Sequence, residues 1–176
     1  DRSCPGLDCA DLLANGHSTG DGIYWIDPQQ DNTPFKVYCL MDELYDGGGW
    51  TLIATTSDDG NDTWTWNNRH YLDTDLRTFG SLGQSDPAAE DVGGTNLDYK
   101  SMALHVVSAQ SVLFIHSPST IWASYNDISL ASEQSSIVDQ TFSQVVNSYG
   151  EGYCWAGKTG FQMSAGTLTS SGELCS

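Results

Sequence analysis

The sequence predicts one α+β domain with a short N-terminal helix, an antiparallel sheet and a long loop-rich region. The chain has 176 residues, which is the size of one ordinary domain. Apolar and polar residues alternate from 35 to 42, as in a half-buried strand. Residues 57–94 are polar, acidic and rich in turn formers, with little periodicity. We therefore expect a single domain over residues 1–176, with 1–7 as an N-terminal leader.

The first elements can be taken in order along the chain. Residues 8–16 predict a helix that Asp8 caps and Asn15-Gly16 ends. Residues 22–26 predict a strand that pairs across a turn with the strand at 35–42. A third strand is expected at 50–56, directly after three consecutive glycines.

Beyond the polar region the pattern changes. Residues 102–109 and 110–117 are mostly apolar and predict two buried strands, and 121–125 predict another. Near-helical spacing of apolar residues between Ile137 and Val146 predicts a helix.

The charge balance excludes several classes of partner. The chain has 23 acidic residues against 6 lysines and arginines, for a formal net charge of −17. Such a surface repels nucleic acid and anionic membranes. The sequence also contains no run of about 18 apolar residues of the kind that inserts into a bilayer. Two interpretations stay open: a solvated acidic surface, or carboxylates that converge on a divalent cation.

Cysteine spacing indicates disulfides rather than a metal or redox motif. No C-x-x-C pair and no zinc-type histidine spacing occurs. The simplest pairing joins Cys9 to Cys39 and Cys154 to Cys175, with each bridge contributing on the order of 3 kcal/mol. Cys4 is then left over, and its place in the leader favours an interchain bridge, and thus a disulfide-linked homo-oligomer, over a free thiol.

Four motifs occur in a fixed order near the start of the chain. Gly47–Gly49 would allow a close backbone approach, and Trp50 would anchor the next strand to the core. The motifs, in chain order, are Cys9–Leu13, Gly22–Tyr24, Val37–Asp42 and Gly47–Leu52. Together they resemble the opening of a fibrinogen-related domain.

Three further motifs follow in the order Thr78–Ser81, Asp98–Lys100 and Tyr149–Trp155. They are similar to the intelectins, or X-type lectins. The resemblance implies a secreted protein with a fibrinogen-like fold and a loop-rich calcium-binding region. Only 21 residues follow Trp155, so we expect a form shortened at the C-terminus, to which the family's sugar-binding residues cannot be transferred. Since no secretory leader precedes Asp1, a signal peptide is expected to have been removed or left out.

A candidate calcium site follows the third strand. Residues 57–62 pack several oxygen ligands into one short loop but lack the EF-hand spacing. The resemblance implies Asp58, Asp62 and Asp98 as ligands, with backbone oxygens from Gly60 and Asn61. Asp59 is an additional candidate, and Ser57 stands where the family often has histidine. The alternative is a solvated acidic turn.

The same loop contains an N-glycosylation acceptor pattern, Asn61-Asp62-Thr63. A glycan there would crowd the metal loop, so calcium is the preferred interpretation.

An aromatic and polar segment directly after the loop is a candidate ligand-binding surface. Aromatic rings stack on sugar faces, and amide or guanidinium groups bind hydroxyls. Alternation would place two tryptophans on one face of a strand, although such residues often belong to the core. The candidate residues are Trp64, Trp66, Asn68, Arg69, His70 and Tyr71.

No hydrolase, metalloprotease or phosphate-loop motif is present, so no enzyme is predicted. The expected function is an extracellular, calcium-dependent carbohydrate-binding module with a glycan or glycoprotein ligand. The alternative is a calcium-stabilised structural or adhesive module that mediates protein assembly without binding a sugar.

Overall fold

The computed structural model describes residues 1–41, 43–57, 60–61, 63–68, 70–80, 82, 98–109, 111–116, 121–126, 129–130, 140–141, 154–156, 162–163 and 173–175. The chain divides into two compact units, Asp1–Val107 and Ser108–Ser176. The expectation of one domain over 1–176 stays a prediction, because compact units can be parts of one folding domain. Antiparallel sheets and a few short helices make up both the predicted and the observed secondary structure.

Helix α1 spans Cys9–Ala14, inside the predicted range. The Asp8 carboxylate accepts a hydrogen bond from the Asp11 backbone N–H at 2.8 Å, which confirms the predicted N-cap. Asn15 is the C-cap of the helix, and Gly16 follows with a φ of +70°, a conformation that glycine adopts without strain.

The first sheet is an antiparallel meander in the order β1-β2-β3. Strand β1 spans Gly22–Ile26, β2 spans Phe35–Leu40 and β3 spans Trp50–Thr51. Direct partners in the register include Gly22↔Cys39 and Leu40↔Trp50. The core of this unit consists of Cys9, Leu12, Ile26, Val37, Cys39, Met41 and Ala103.

The Cys9–Cys39 disulfide joins α1 to β2, and both cysteines are fully buried. Cys4 is exposed in the leader and forms no bridge within the described chain. The interchain bridge through Cys4 stays a prediction.

The prediction of one continuous strand over 50–56 is wrong. The Leu52 N–H still bonds the Tyr38 carbonyl of the first sheet, at 3.0 Å, whereas the Ile53 carbonyl accepts from the Ser101 N–H at 2.8 Å. The chain therefore leaves one sheet at this point and enters another. Strand β4, Ala54–Thr55, pairs antiparallel with β5, Tyr99–Lys100.

The glycine run has the role that its position predicts. Gly47, Gly48 and Gly49 have φ values of +88°, +74° and +79°. A Cβ on Gly49 would lie 3.0 Å from the Ala10 Cα of α1. The run lets the chain pass close to the helix before Trp50, whose indole N–H bonds the Tyr45 carbonyl.

A strand over 102–109 is also a wrong prediction. Residues Ala103–Val106 form helix α3, and only Ser108–Ala109 form a strand, β6. The Ser101 hydroxyl accepts from the Ala103 N–H at 3.0 Å, and Val107 N–H bonds the Ala103 carbonyl at 2.9 Å. A short buried helix and a buried strand have the same apolar composition, so periodicity could not separate them.

The second unit is built of antiparallel pairs. The predicted strands after the loop region appear as β7, Ser111–His116, and β8, Ile121–Asn126. In the segment predicted as a helix, the described residues Gln140–Thr141 are a strand, β10, and the rest lies outside the described residues. The other strands are β9, Ser129–Leu130, β11, Cys154–Ala156, β12, Gln162–Met163, and β13, Glu173–Cys175.

The predicted second disulfide agrees with the strand register. Cys154 on β11 and Cys175 on β13 are direct antiparallel partners. Opposed residues have Cα atoms about 4.5–5.5 Å apart, which a disulfide can span. We expect non-reducing peptide mapping to recover both cysteines in one linked peptide that reduction separates. The mapped Cys9–Cys39 peptide is the internal control, and alkylation of both thiols without reduction would contradict the bridge.

Candidate functional site

Two residues that are 41 positions apart in sequence meet at the end of β4. The Ser57 backbone N–H and hydroxyl both donate to Asp98 Oδ1, at 2.8 and 3.2 Å. The register of β4 with β5, in which Thr55 lies opposite Tyr99, places them there. The structure thus joins the start of the acidic loop to one of the predicted calcium ligands.

The Asp98 residue is only 6% exposed. A buried carboxylate is costly unless charge or hydrogen bonds compensate it. Among the described residues the one ion pair joins Arg77 to Asp75, and Asp98 receives hydrogen bonds from Ser57 alone. Within the described part of the chain, no basic side chain therefore neutralises Asp98.

The nearest lysine in sequence has other partners. Lys100 is fully buried, and its ammonium group donates to the Asp75 backbone carbonyl and contacts His105 Nε2 at 3.2 Å. Burial lowers the pKa of Lys100, and the Asp75 charge partly opposes that shift. Lys100 thus fastens the backbone at Asp75 to β5.

The Asp75–Arg77 pair stands at the surface beside this buried lysine. The Arg77 guanidinium donates through Nε and Nη2 to the two Asp75 oxygens, at 2.9 and 2.7 Å. These bonds hold the pKa of Asp75 well below its usual 3.8. The Arg77 side chain is 86% exposed, so the pair fixes local geometry more than it contributes stability.

Gly80 controls how closely the chain approaches the site. It has a φ of +75°, and a Cβ there would lie 2.8 Å from the Asp98 backbone carbonyl oxygen. Neighbouring Phe79 is bridged to Lys100 in antiparallel fashion. A side chain at Gly80 would therefore displace the strand start that carries Asp98.

The predicted metal ligands are only partly visible. Ser57, Gly60, Asn61 and Asp98 are described, and Gly60 and Asn61 are exposed. Within the described residues, no three histidine, cysteine or acidic side chains converge on one point. The whole ligand set therefore stays a prediction, and Asp58, Asp59 and Asp62 lie outside the described residues.

The candidate ligand-binding segment forms an aromatic cluster. The Trp64 ring meets the Phe79 ring edge-on at 5.6 Å, and Tyr71 packs against Phe79 at 4.7 Å. His70 is exposed and lies 4.3 Å from the Tyr71 ring. We call Trp64, His70, Tyr71 and Phe79 the aromatic cluster.

The predicted strand geometry of this segment is wrong. Trp66–Asn68 is a 3₁₀ turn, closed by the Asn68 N–H on the Thr65 carbonyl at 2.9 Å, and His70–Asp73 is helix α2. Trp64 and Trp66 therefore do not share a strand face. Asn68 is half-buried, the Trp66 side chain is not described, and Arg69 lies outside the described residues.

Trp64 has a packing role as well. It is half-buried, and its indole N–H donates to the Thr55 carbonyl at 2.8 Å, which closes the base of the acidic loop. Phe79, the ring at the centre of the cluster, was not among the predicted site residues. The Thr78–Ser81 motif is the feature of the sequence that contains Phe79. Only the bridge between Phe79 and Lys100 of β5 brings that motif beside Trp64.

Among the described residues, no helix has the length and apolarity that a bilayer crossing requires.

Comparison with known proteins identifies the protein family of this chain. A family model described as the C-terminal globular domain of fibrinogen beta and gamma chains matches residues 5–136. Because the match covers most of the chain, the chain belongs to this family.

Individual relatives match over shorter segments. The fibrinogen beta chain of Gallus gallus is 42% identical over 53 residues, which are 30% of this chain and 11% of that protein. Fibrinogen-like protein 1 of Homo sapiens is 41% identical over 51 residues, 29% of this chain and 15% of that protein. The same-named protein of Rattus norvegicus is 37% identical over 79 residues, 45% of this chain and 22% of that protein. The chain thus spans less than a quarter of each of these relatives.

Proposed function

We propose that this chain is an extracellular, calcium-dependent carbohydrate-binding module of the lectin type, similar to the intelectins and without enzymatic activity. The observation that carries the calcium part is the buried Asp98 carboxylate, which lacks a basic partner among the described residues and contacts the start of the acidic loop. A calcium ion would supply the compensating charge.

The family membership and the buried Cys9–Cys39 bridge support a secreted, extracellular location, because such disulfides persist in oxidising surroundings. Calcium would be held by Asp98 together with Ser57, Gly60, Asn61 and the loop aspartates, through carboxylate, hydroxyl and backbone oxygens. The ion would order the loop whose base Trp64 closes, and thereby set the position of the aromatic cluster.

The calcium part is tested by thermal unfolding with added calcium and with excess chelator. We expect chelation to lower the Tm of the wild type, because binding to the folded state stabilises it. Asp98→Asn should remove most of this difference. Glu43→Gln, at an exposed acidic residue outside the site, should retain it. An unchanged Tm in excess chelator would refute calcium binding.

The carbohydrate part is tested by a glycan array with and without calcium. We expect binding that requires calcium, and we expect His70→Ala to weaken it, because His70 is the exposed ring of the aromatic cluster. No binding to any glycan, together with disulfide-linked oligomers that Cys4→Ser abolishes, would favour the structural or adhesive alternative.

A further inference from the structure

We infer that Asn61 is an N-glycosylation site, occupied when the chain passes through an animal secretory pathway. Asn61-Asp62-Thr63 is the only acceptor pattern among the eight asparagines of the sequence. Asparagine-linked glycans occur on surface loops, and Asn61 lies in the loop between β4 and the 3₁₀ turn with its side chain exposed.

The residue before Asn61 has open space around it. Gly60 precedes it with a φ of +81°, and a Cβ built there meets no atom within 4 Å. The loop is tied down at its two ends, by Ser57 on Asp98 and by Trp64 on the Thr55 carbonyl. Asn61 lies between these two ties in the chain and belongs to neither of them.

Glycosylation and the proposed calcium site use different atoms of Asn61. The side-chain amide nitrogen attacks C1 of the first sugar of a lipid-diphosphate-linked oligosaccharide. A C1–N bond forms, the C1–O bond to the diphosphate breaks, and the lipid diphosphate leaves as one amide proton is released. The backbone carbonyl, which is the oxygen proposed for calcium, is not consumed. The modification therefore does not depend on the proposed function.

The test is secretion of the full chain from animal cells behind a signal peptide, with digestion by peptide N-glycanase. We expect the wild type to lose mass on digestion and to carry aspartate at position 61 afterwards. Asn61→Gln and Thr63→Ala should both migrate with the digested form, whereas Thr63→Ser keeps the hydroxyl and should remain glycosylated. Wild-type protein secreted with unmodified Asn61 in its peptide map would overturn the inference. Calcium binding does not enter this readout, so the two proposals fail independently.

Discussion

Replacement of both Cys9 and Cys39 by alanine is expected to lower the free energy of unfolding by about 3–4 kcal/mol. The bridge closes a loop across a sequence separation of 30 residues, and its loss frees the unfolded chain. It also ties α1 to the centre of the first sheet, where both residues are fully buried. Urea unfolding followed by tryptophan fluorescence measures the change through the midpoint of the transition.

The leader cysteine provides the control. Cys4 is exposed and belongs to no bridge in the described chain, so Cys4→Ala should leave the urea midpoint of the monomer unchanged. A double variant at Cys9 and Cys39 that unfolds at the wild-type midpoint would show that helix and sheet are held together by apolar packing alone.

Gly80→Ala is expected to lower the free energy of unfolding by about 2–4 kcal/mol, from left-handed backbone strain and steric overlap together. The new Cβ would lie 2.8 Å from the Asp98 carbonyl oxygen, and backbone cannot move aside as a flexible side chain can. Because Asp98 would shift, the same variant should also reduce the effect of chelation on Tm. Chemical denaturation and the chelator experiment measure the two effects separately.

A matched variant at a second glycine distinguishes the cost of backbone strain from the cost of steric overlap. Gly16 has a φ of +70°, close to the +75° of Gly80, but a Cβ there meets no atom within 4 Å. Gly16→Ala should therefore cost about 1 kcal/mol and leave the chelator effect intact. Equal losses of stability in the two variants would show that the close approach to Asp98 is not a constraint.

Local signals determined the first part of the fold. Asp8 and Asn15-Gly16 define the helix ends through hydrogen bonds within a few residues, and the structure follows them. A strand is predicted over 35–42 and β2 forms at Phe35–Leu40, but its last four residues are all buried, so the predicted alternation of a buried and an exposed face is wrong. The roles of the glycine run and of the Cys9–Cys39 pair can be predicted from residue type and spacing.

Where the prediction failed, the deciding contacts come from distant residues. The strand over 50–56 breaks because Tyr38 bonds its first half and Ser101 its second half. Apolar composition at 102–109 fits both a strand and the helix that forms, and tertiary packing decides between them.

The candidate site shows the same division. Residue type and order are enough to single out the acidic loop, the aromatic segment after it and Asp98. The contact of Ser57 with Asp98, the burial of Asp98 and the packing of Phe79 with Trp64 and Tyr71 could not be predicted in this way and are known from the fold. The reason is that β4 pairs with β5 across more than 40 residues, and no local pattern specifies which distant strand a short strand will find.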